Sequence, residues 1–328
     1  MTWDGLKSRK IMILIKKQSL LTMRQIAIFL MLLWGITLQA QNIESGTHWY
    51  NGAIIYTANP LQSGNVLMSA TVEGEEIEFM LVPETNKQDT YRTAQGPNDG
   101  YMPYEEGVMV KYFQQENLDV LCFYDTSGSL FRLLSKTDDE DNKVLNELHW
   151  MGIVRGTYRM PDDTRVTIDW DKANVGGVYI PVEAVTFNGH TTGLISFDGE
   201  GTPLSGPMEV IYTIDGLELH AVYFDDYGTW HRLPGDGILL TECDPDSGRF
   251  DFANNMLLYG NELYDFDEHM LRLMRNSILA CHGYVFQSKD LKEYFGNEPW
   301  YHPTDNNDDI NLSCIERLNI ELIKNQEK

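Results

Sequence analysis

Basic residues are scarce in this chain: across 328 residues there are 25 Lys and Arg against 49 Asp and Glu, a formal net charge of -24. Such an anionic surface repels nucleic-acid phosphates and anionic membrane surfaces, which removes nucleic-acid binding from the functions to consider. The chain also lacks the common local signatures of catalysis. It has no phosphate loop, no zinc-ligand spacing, no Gly-x-Ser-x-Gly elbow and no aspartate–histidine pairing of the hydrolase kind. Cysteine is sparse at four residues. A membrane-spanning run is missing near the start as well: the apolar stretch from Ile26 to Ile36 falls well short of the roughly 20 residues a bilayer-crossing helix needs.

That short stretch reads instead as the apolar part of a secretory signal. Met23 and the basic Arg24 precede it, and the small-residue exit LQA ends at Ala40, so residues 1–40 are expected to form a leader cleaved before Gln41. Met23 is the expected start; the alternative is a long basic lead-in carrying Lys7, Arg9, Lys10, Lys16 and Lys17. No cysteine follows the cleavage site, which argues against a lipid anchor. The leader holds six of the basic residues and one of the acidic ones, so its removal takes the net charge to about -29. Solubility of an exported protein explains that charge more simply than a specific cation role. The expected location is the periplasm, the cell surface or the medium.

From Gly46 to Cys243 the chain reads as strands. Segments such as GVMVKYF, LDVLCFYD, TRVTIDW and MEVIYTI are rich in β-branched and aromatic residues with a period near two, and turn residues separate them. Asn188-Gly189 and Asp215-Gly216 are hairpin signals. The region also reads as duplicated at an offset of about 100 residues. THWYNG at Thr47 recurs as LHWMG at Leu148, and LDVLCFYDTSGSLFRL recurs as LELHAVYFDDYGTWHRL, aligning Asp125 with Asp225, Gly128 with Gly228 and Arg132 with Arg232. The prediction is two tandem antiparallel all-β modules, sandwich or barrel-like, at 46–135 and 148–243, joined by an acidic linker at 136–147. Aspartate first and glycine last in both D-x-x-G turns fits a type I turn and needs no catalytic role. His48 and His149, each before a tryptophan, are expected to begin a strand and fill the module core.

A linker at 244–265 is expected to lead into a small all-α C-terminal domain of about three helices at 266–328. Asp267 caps the first helix, Leu271, Met274, Ile278 and Cys281 give it an apolar stripe, and Gly283 stops it. Ser288 caps a short second helix, and Ser313 with Glu316 forms a capping box for the last. The stretch LRLMRNSILACHGYVF from Leu271, followed by SKDLKEYFGNEPWYHP and LSCIERLNIELIKN, resembles the YARHG domain over about residues 267–327. Where the family's name motif has tyrosine and arginine, this chain has Leu279 and Cys281. The resemblance implies an exported protein acting at the cell wall or surface, and it implies no defined chemistry.

Within that segment Arg275, Asn276, His282, Tyr284, Trp300 and Tyr301 are the candidate binding residues. A structural role for His282, capping the helix end where it favours the negative pole, is the simpler one. Asp305, Asn307, Asp309 and Glu316 fall at calcium-loop spacing, but Ile310 stands where the loop needs glycine. Cys281 and Cys314 are a candidate disulfide across two helices. Adjacent helical residues point in different directions, so Cys281 and His282 make a poor nucleophile pair. No cofactor is expected apart from that calcium. The expected function is a non-enzymatic exported binding protein whose partner is another envelope protein or a wall or surface glycan. A hydrolase acting on such glycans is the first alternative, and a structural envelope factor the second.

Overall fold

The computed structural model describes residues 43–98, 100–115, 117–187, 192–243 and 248–327; the expected leader and the Asn188-Gly189 turn lie outside them. The first eight strands are β1 (Thr47–Tyr50), β2 (Ile55–Pro60), β3 (Val66–Val72), β4 (Glu75–Pro83), β5 (Thr90–Gln95), β6 (Met109–Gln115), β7 (Leu118–Tyr124) and β8 (Leu130–Thr137). They form a closed antiparallel barrel in sequence order, with β8 returning to β1 through His48↔Thr137 and Tyr50↔Ser135. Closure leaves no unpaired sheet edge. Large side chains fill the interior, among them Trp49, Tyr56, Phe79, Leu81 and Phe123. Alternation along β7 sends Leu121 and Phe123 into this interior and Val120 and Cys122 outward. The outward pair is also buried, because the rest of the molecule packs on that face.

The second barrel comprises β9 (Gly156–Arg159), β10 (Arg165–Ile168), β11 (Lys172–Val175), β12 (Val178–Phe187), β13 (Thr192–Phe197), β14 (Gly206–Thr213), β15 (Gly216–Phe224) and β17 (Ile238–Glu242). Here β17 closes the ring by pairing with both β15 and β9. The short β16 (Trp230–Arg232) pairs only with the far part of β15. Both predicted modules are therefore eight-stranded barrels.

The duplication is visible in one place and absent in another. The β7–β8 and β15–β16 hairpins share a turn in which an aspartate carboxylate accepts backbone N–H groups two and four residues on: Ser127 and Ser129 for Asp125, Tyr227 and Thr229 for Asp225. Gly128 and Gly228 both adopt positive φ. The other half of the repeat is not equivalent. THWY forms β1, whereas LHWM lies on helix α1 (Asn142–Val154), which Asp141 caps by accepting from Lys143 and Val144. The acidic run that reads as a linker is thus the end of β8, a capping turn and the exposed start of α1. At Asp215-Gly216 a hairpin exists with a shifted register: Thr213 pairs Gly216, so Ile214 and Asp215 are the loop residues. Gly216 adopts φ 151°, and a Cβ there would collide with the Leu240 carbonyl of the closing strand.

The expected linker at 244–265 is also corrected, since much of its described part is packed structure. It carries a short helix α2 (Phe252–Asn255) and a 3-10 turn at Glu262–Asp265, and Phe250, Leu258 and Leu263 are buried. Three helices follow, α3 (Glu268–Cys281), α4 (Lys289–Gly296) and α5 (Cys314–Gln326). Asp267 accepts from Met270 N, and both arms of the Ser313–Glu316 capping box are formed. Phe286 stacks on Phe295, with Trp300 and Tyr301 packed against Phe295. One continuous core joins these helices to the second barrel, to α1 and to the outer face of β7 and β8.

Candidate functional site

The candidate binding residues of the helical region mostly spend their polar atoms on the fold. Arg275 makes a two-pronged ion pair with Glu327, Nε to Oε1 at 2.5 Å and Nη2 to Oε2 at 3.0 Å, which ties α3 to the end of α5. Asn276 is buried and donates to the Arg272 carbonyl one turn back. His282 sits at the C-terminal cap of α3, with Nε2 2.6 Å from Oε1 of Glu316. The Tyr301 hydroxyl donates to the Tyr284 carbonyl at 2.7 Å. Trp300 lines a cavity beside the second barrel, and His282 lines another beside Asp305 and Asp309.

The calcium spacing does not assemble a cation site. Asp305 and Asp309 border a cavity of about 410 Å³ with His282, but the other two ligands are engaged elsewhere. Asn307 accepts from Val285 N and donates to Val285 O, while Glu316 accepts from Ser313 N and faces His282. Among the described residues no three His, Cys, Asp or Glu side chains gather to hold a metal. No disulfide joins Cys281 and Cys314, so the candidate bridge is not formed. Cys281 Sγ accepts from Asn254 on α2 at 3.3 Å, and burial pushes its thiol up to about 11. Cys314 is buried in the core shared with β7.

The site with the most chemistry lies where the second barrel meets the helical region, and no local spacing announces it. Strand β17 delivers Glu242, the chain returns with Arg249, and the loop after α4 brings Glu298 and Trp300. Arg249 is held on all sides: its guanidinium lies 4.0 Å over the Tyr212 ring, donates to the carbonyls of Thr213 and Gly216, and meets Glu242 Oε2 at 3.3 Å. Burial works against its charge, but Tyr212 and Glu242 beside it raise the group above the ordinary arginine range. Its side chain is only 7 % exposed, and its Nε has no hydrogen-bond partner.

Two cavities share Glu242 and Arg249 in their walls. One, of about 420 Å³, is lined by Asp215, Ser277, Tyr294, Glu298 and Trp300. Burial raises the Glu298 carboxyl above the usual range despite the Trp300 indole N–H that donates to it at 3.1 Å. Burial also pushes Tyr294 up to about 12, helped by the nearby Glu298. The other cavity, of about 470 Å³, is lined by Arg155, Asp169, Trp170, Asp251 and Asn255. Trp170 is 44 % exposed; Arg155 lies 4.3 Å over its ring and pairs with Asp169 at 3.2 Å. Each cavity therefore combines an aromatic ring with carboxylates and a guanidinium that already has its counter-charge, an arrangement suited to holding a polar, uncharged group.

Residues 250–328 match the family model of the YARHG domain, so the C-terminal region of this chain is a YARHG domain, and it supplies Trp300, Glu298 and Tyr294 to the first cavity. No curated protein and no solved structure matches the chain.

Proposed function

We propose that this is an exported, non-enzymatic binding protein of the cell envelope, which holds another envelope component in the cleft between its second barrel and its YARHG domain. The observation that carries the reading is the pair of cavities on either side of the Glu242–Arg249 ion pair, each with one tryptophan and several carboxylates. The first barrel supports this as a rigid, side-chain-filled body whose outer face anchors the helices. Export rests on the leader-like sequence of residues 1–40. Among the described residues no helix is long and apolar enough to cross a membrane. The test is retention of purified residues 41–328 on isolated cell-wall sacculi and envelope fractions, beside a Trp170→Ala, Trp300→Ala double variant. Retention that needs the tryptophans supports the reading; no retention on any fraction sinks it.

A second reading, a hydrolase of envelope glycans, has one specific observation in its favour. Glu298, raised by burial, and Glu242 line the same cavity, and two carboxyls in unlike surroundings are what general acid and base need. Against it, Glu242 is committed to a buried arginine. Release of reducing ends from wall glycan, abolished in Glu298→Gln, would decide for the enzyme.

A further inference from the structure

We propose that the ligand of this cleft is a neutral oligosaccharide long enough to touch both tryptophans, Trp300 in one cavity and Trp170 in the other; this rests on the binding reading above. Glu242, Glu298, Asp215, Asp169 and Asp251 border the two cavities, and Arg155 and Arg249, the arginines among the described lining residues, are already ion-paired. An anionic polymer would meet uncompensated carboxylates in a protein of net charge -24, so polyuronates and teichoic-type polymers are disfavoured.

An uncharged sugar fits instead. Its C–H face covers the flat face of an indole, and its hydroxyls donate to carboxylates, the stronger class of hydrogen bond. The raised carboxyl of Glu298 adds a donor for a ring or amide oxygen when it carries its proton. The Nε of Arg249 is buried and without a partner in the fold, an unused donor on a residue that lines both cavities. The tryptophans come from separate elements, the turn after β10 and the YARHG loop after α4, so a ligand touching both would bridge the barrel and the domain. A single sugar ring fits within either cavity of about 470 or 420 Å³; occupying both takes an oligomer.

The experiment is calorimetric titration of residues 41–328 with a defined hexamer of N-acetylglucosamine, its deacetylated polycationic counterpart and an oligouronate. The neutral hexamer is expected to bind and the uronate not to. Trp170→Ala, at an exposed position whose loss spares the core, is expected to weaken binding about tenfold. The unmodified protein is expected to lose affinity as the pH rises through the raised Glu298 value, and Glu298→Gln is expected to remove that loss. Binding of the polycation alone would overturn the proposal in favour of an ammonium site, and binding of the neutral hexamer unaffected by Trp170→Ala would overturn it too. If all three sugars fail while tryptophan-dependent retention on envelope fractions persists, the oligosaccharide claim falls and the binding function stands.

Discussion

Replacing Glu262 with alanine tests how firmly the YARHG domain is fused to α1 and the first barrel. Glu262 is 2 % exposed, in the 3-10 turn that leads into α3. Its Oε1 accepts the Tyr259 N–H at 2.7 Å and lies 3.3 Å from His149 Nε2 on α1. Around the pair, the Tyr259 hydroxyl meets Ser135 Oγ of β8 at 2.7 Å, and the Tyr50 hydroxyl donates to Asn146 of α1 at 2.6 Å. Three parts of the molecule converge on this carboxylate. Removing it strands a buried N–H, which costs roughly 1–3 kcal/mol, and breaks a buried pair, which typically costs about 3–5 kcal/mol with such losses included. We take about 4 kcal/mol for Glu262→Ala. For a unit running from Ile43 to Lys328, about 2 °C per kcal/mol gives a Tm lower by about 8 °C.

Scanning calorimetry of the single variants and of the pair with His149→Ala measures this and its origin. The two changes should be less than additive, since each alone strands the other's partner. The pH dependence has a definite sign. Burial alone would raise the Glu262 carboxyl, but His149 and the Tyr259 N–H outweigh it, so the folded value lies below the ordinary 4.5. The contribution is therefore fully present above about pH 4.5 and fades as the pH falls through the lower folded value, so the gap between the protein and Glu262→Ala narrows in acid. A drop under about 2 °C at pH 7, strict additivity with His149→Ala, or a gap that widens in acid would refute the reasoning.

The remaining predictions are local. Asn319 on α5 is fully buried, accepts from Leu258 N and donates to the carbonyls of Ala253 and Met256; Asn319→Ala should cost roughly 3–5 kcal/mol in guanidinium denaturation, and a cost below about 1 kcal/mol would show that the segment before α3 is held otherwise. Gly216→Ala should prevent proper closure of the second barrel, because its Cβ meets the Leu240 carbonyl at φ 151°, whereas Gly228→Ala, at φ 79° with open space around it, should cost only about 1–2 kcal/mol; equal Tm values for the two would contradict the register. Protein recovered from an oxidising compartment and denatured without reductant should still alkylate at Cys281, which points to Asn254; a Cys281–Cys314 peptide in the mass map would overturn that placement.

What was readable from the sequence and what was not follows from the range of the interactions involved. The helix caps at Asp267 and Ser313, the stop at Gly283 and the paired aspartate turns are set within four residues, and each is where its local chemistry puts it. The alternating strands announced two β modules but not barrels, because closure depends on which strands meet: β8 with β1 in one ring, and β17, past the short β16, with β9 in the other. LHWMG reads as a strand start because five residues carry little periodicity. The Asp141 cap, with Trp150, Met151, Ile153 and Val154 buried at the far end of the same helix, shows the helical phase instead.

The cleft was the least legible part, and the reason bears on how the protein works. Trp170 follows β10, Glu242 ends β17, Arg249 lies before α2, and Glu298 and Trp300 follow α4, so no window of sequence contains the site. Its integrity depends on the barrel and the YARHG domain remaining docked, and the docking is a continuous apolar core reinforced by Arg249, whose donors close on the β14–β15 turn while its charge is met by β17. Gly248 permits that approach, since any side chain there would strike the Trp300 ring. A ligand bound across the two cavities would add contacts on both sides of this seam. It would therefore stabilise the docked form by an amount that grows as the logarithm of one plus its concentration over its dissociation constant, so a ligand that occupies the cleft raises the Tm of the unit and loses part of that rise in Trp170→Ala, while one that binds elsewhere raises the Tm equally in both.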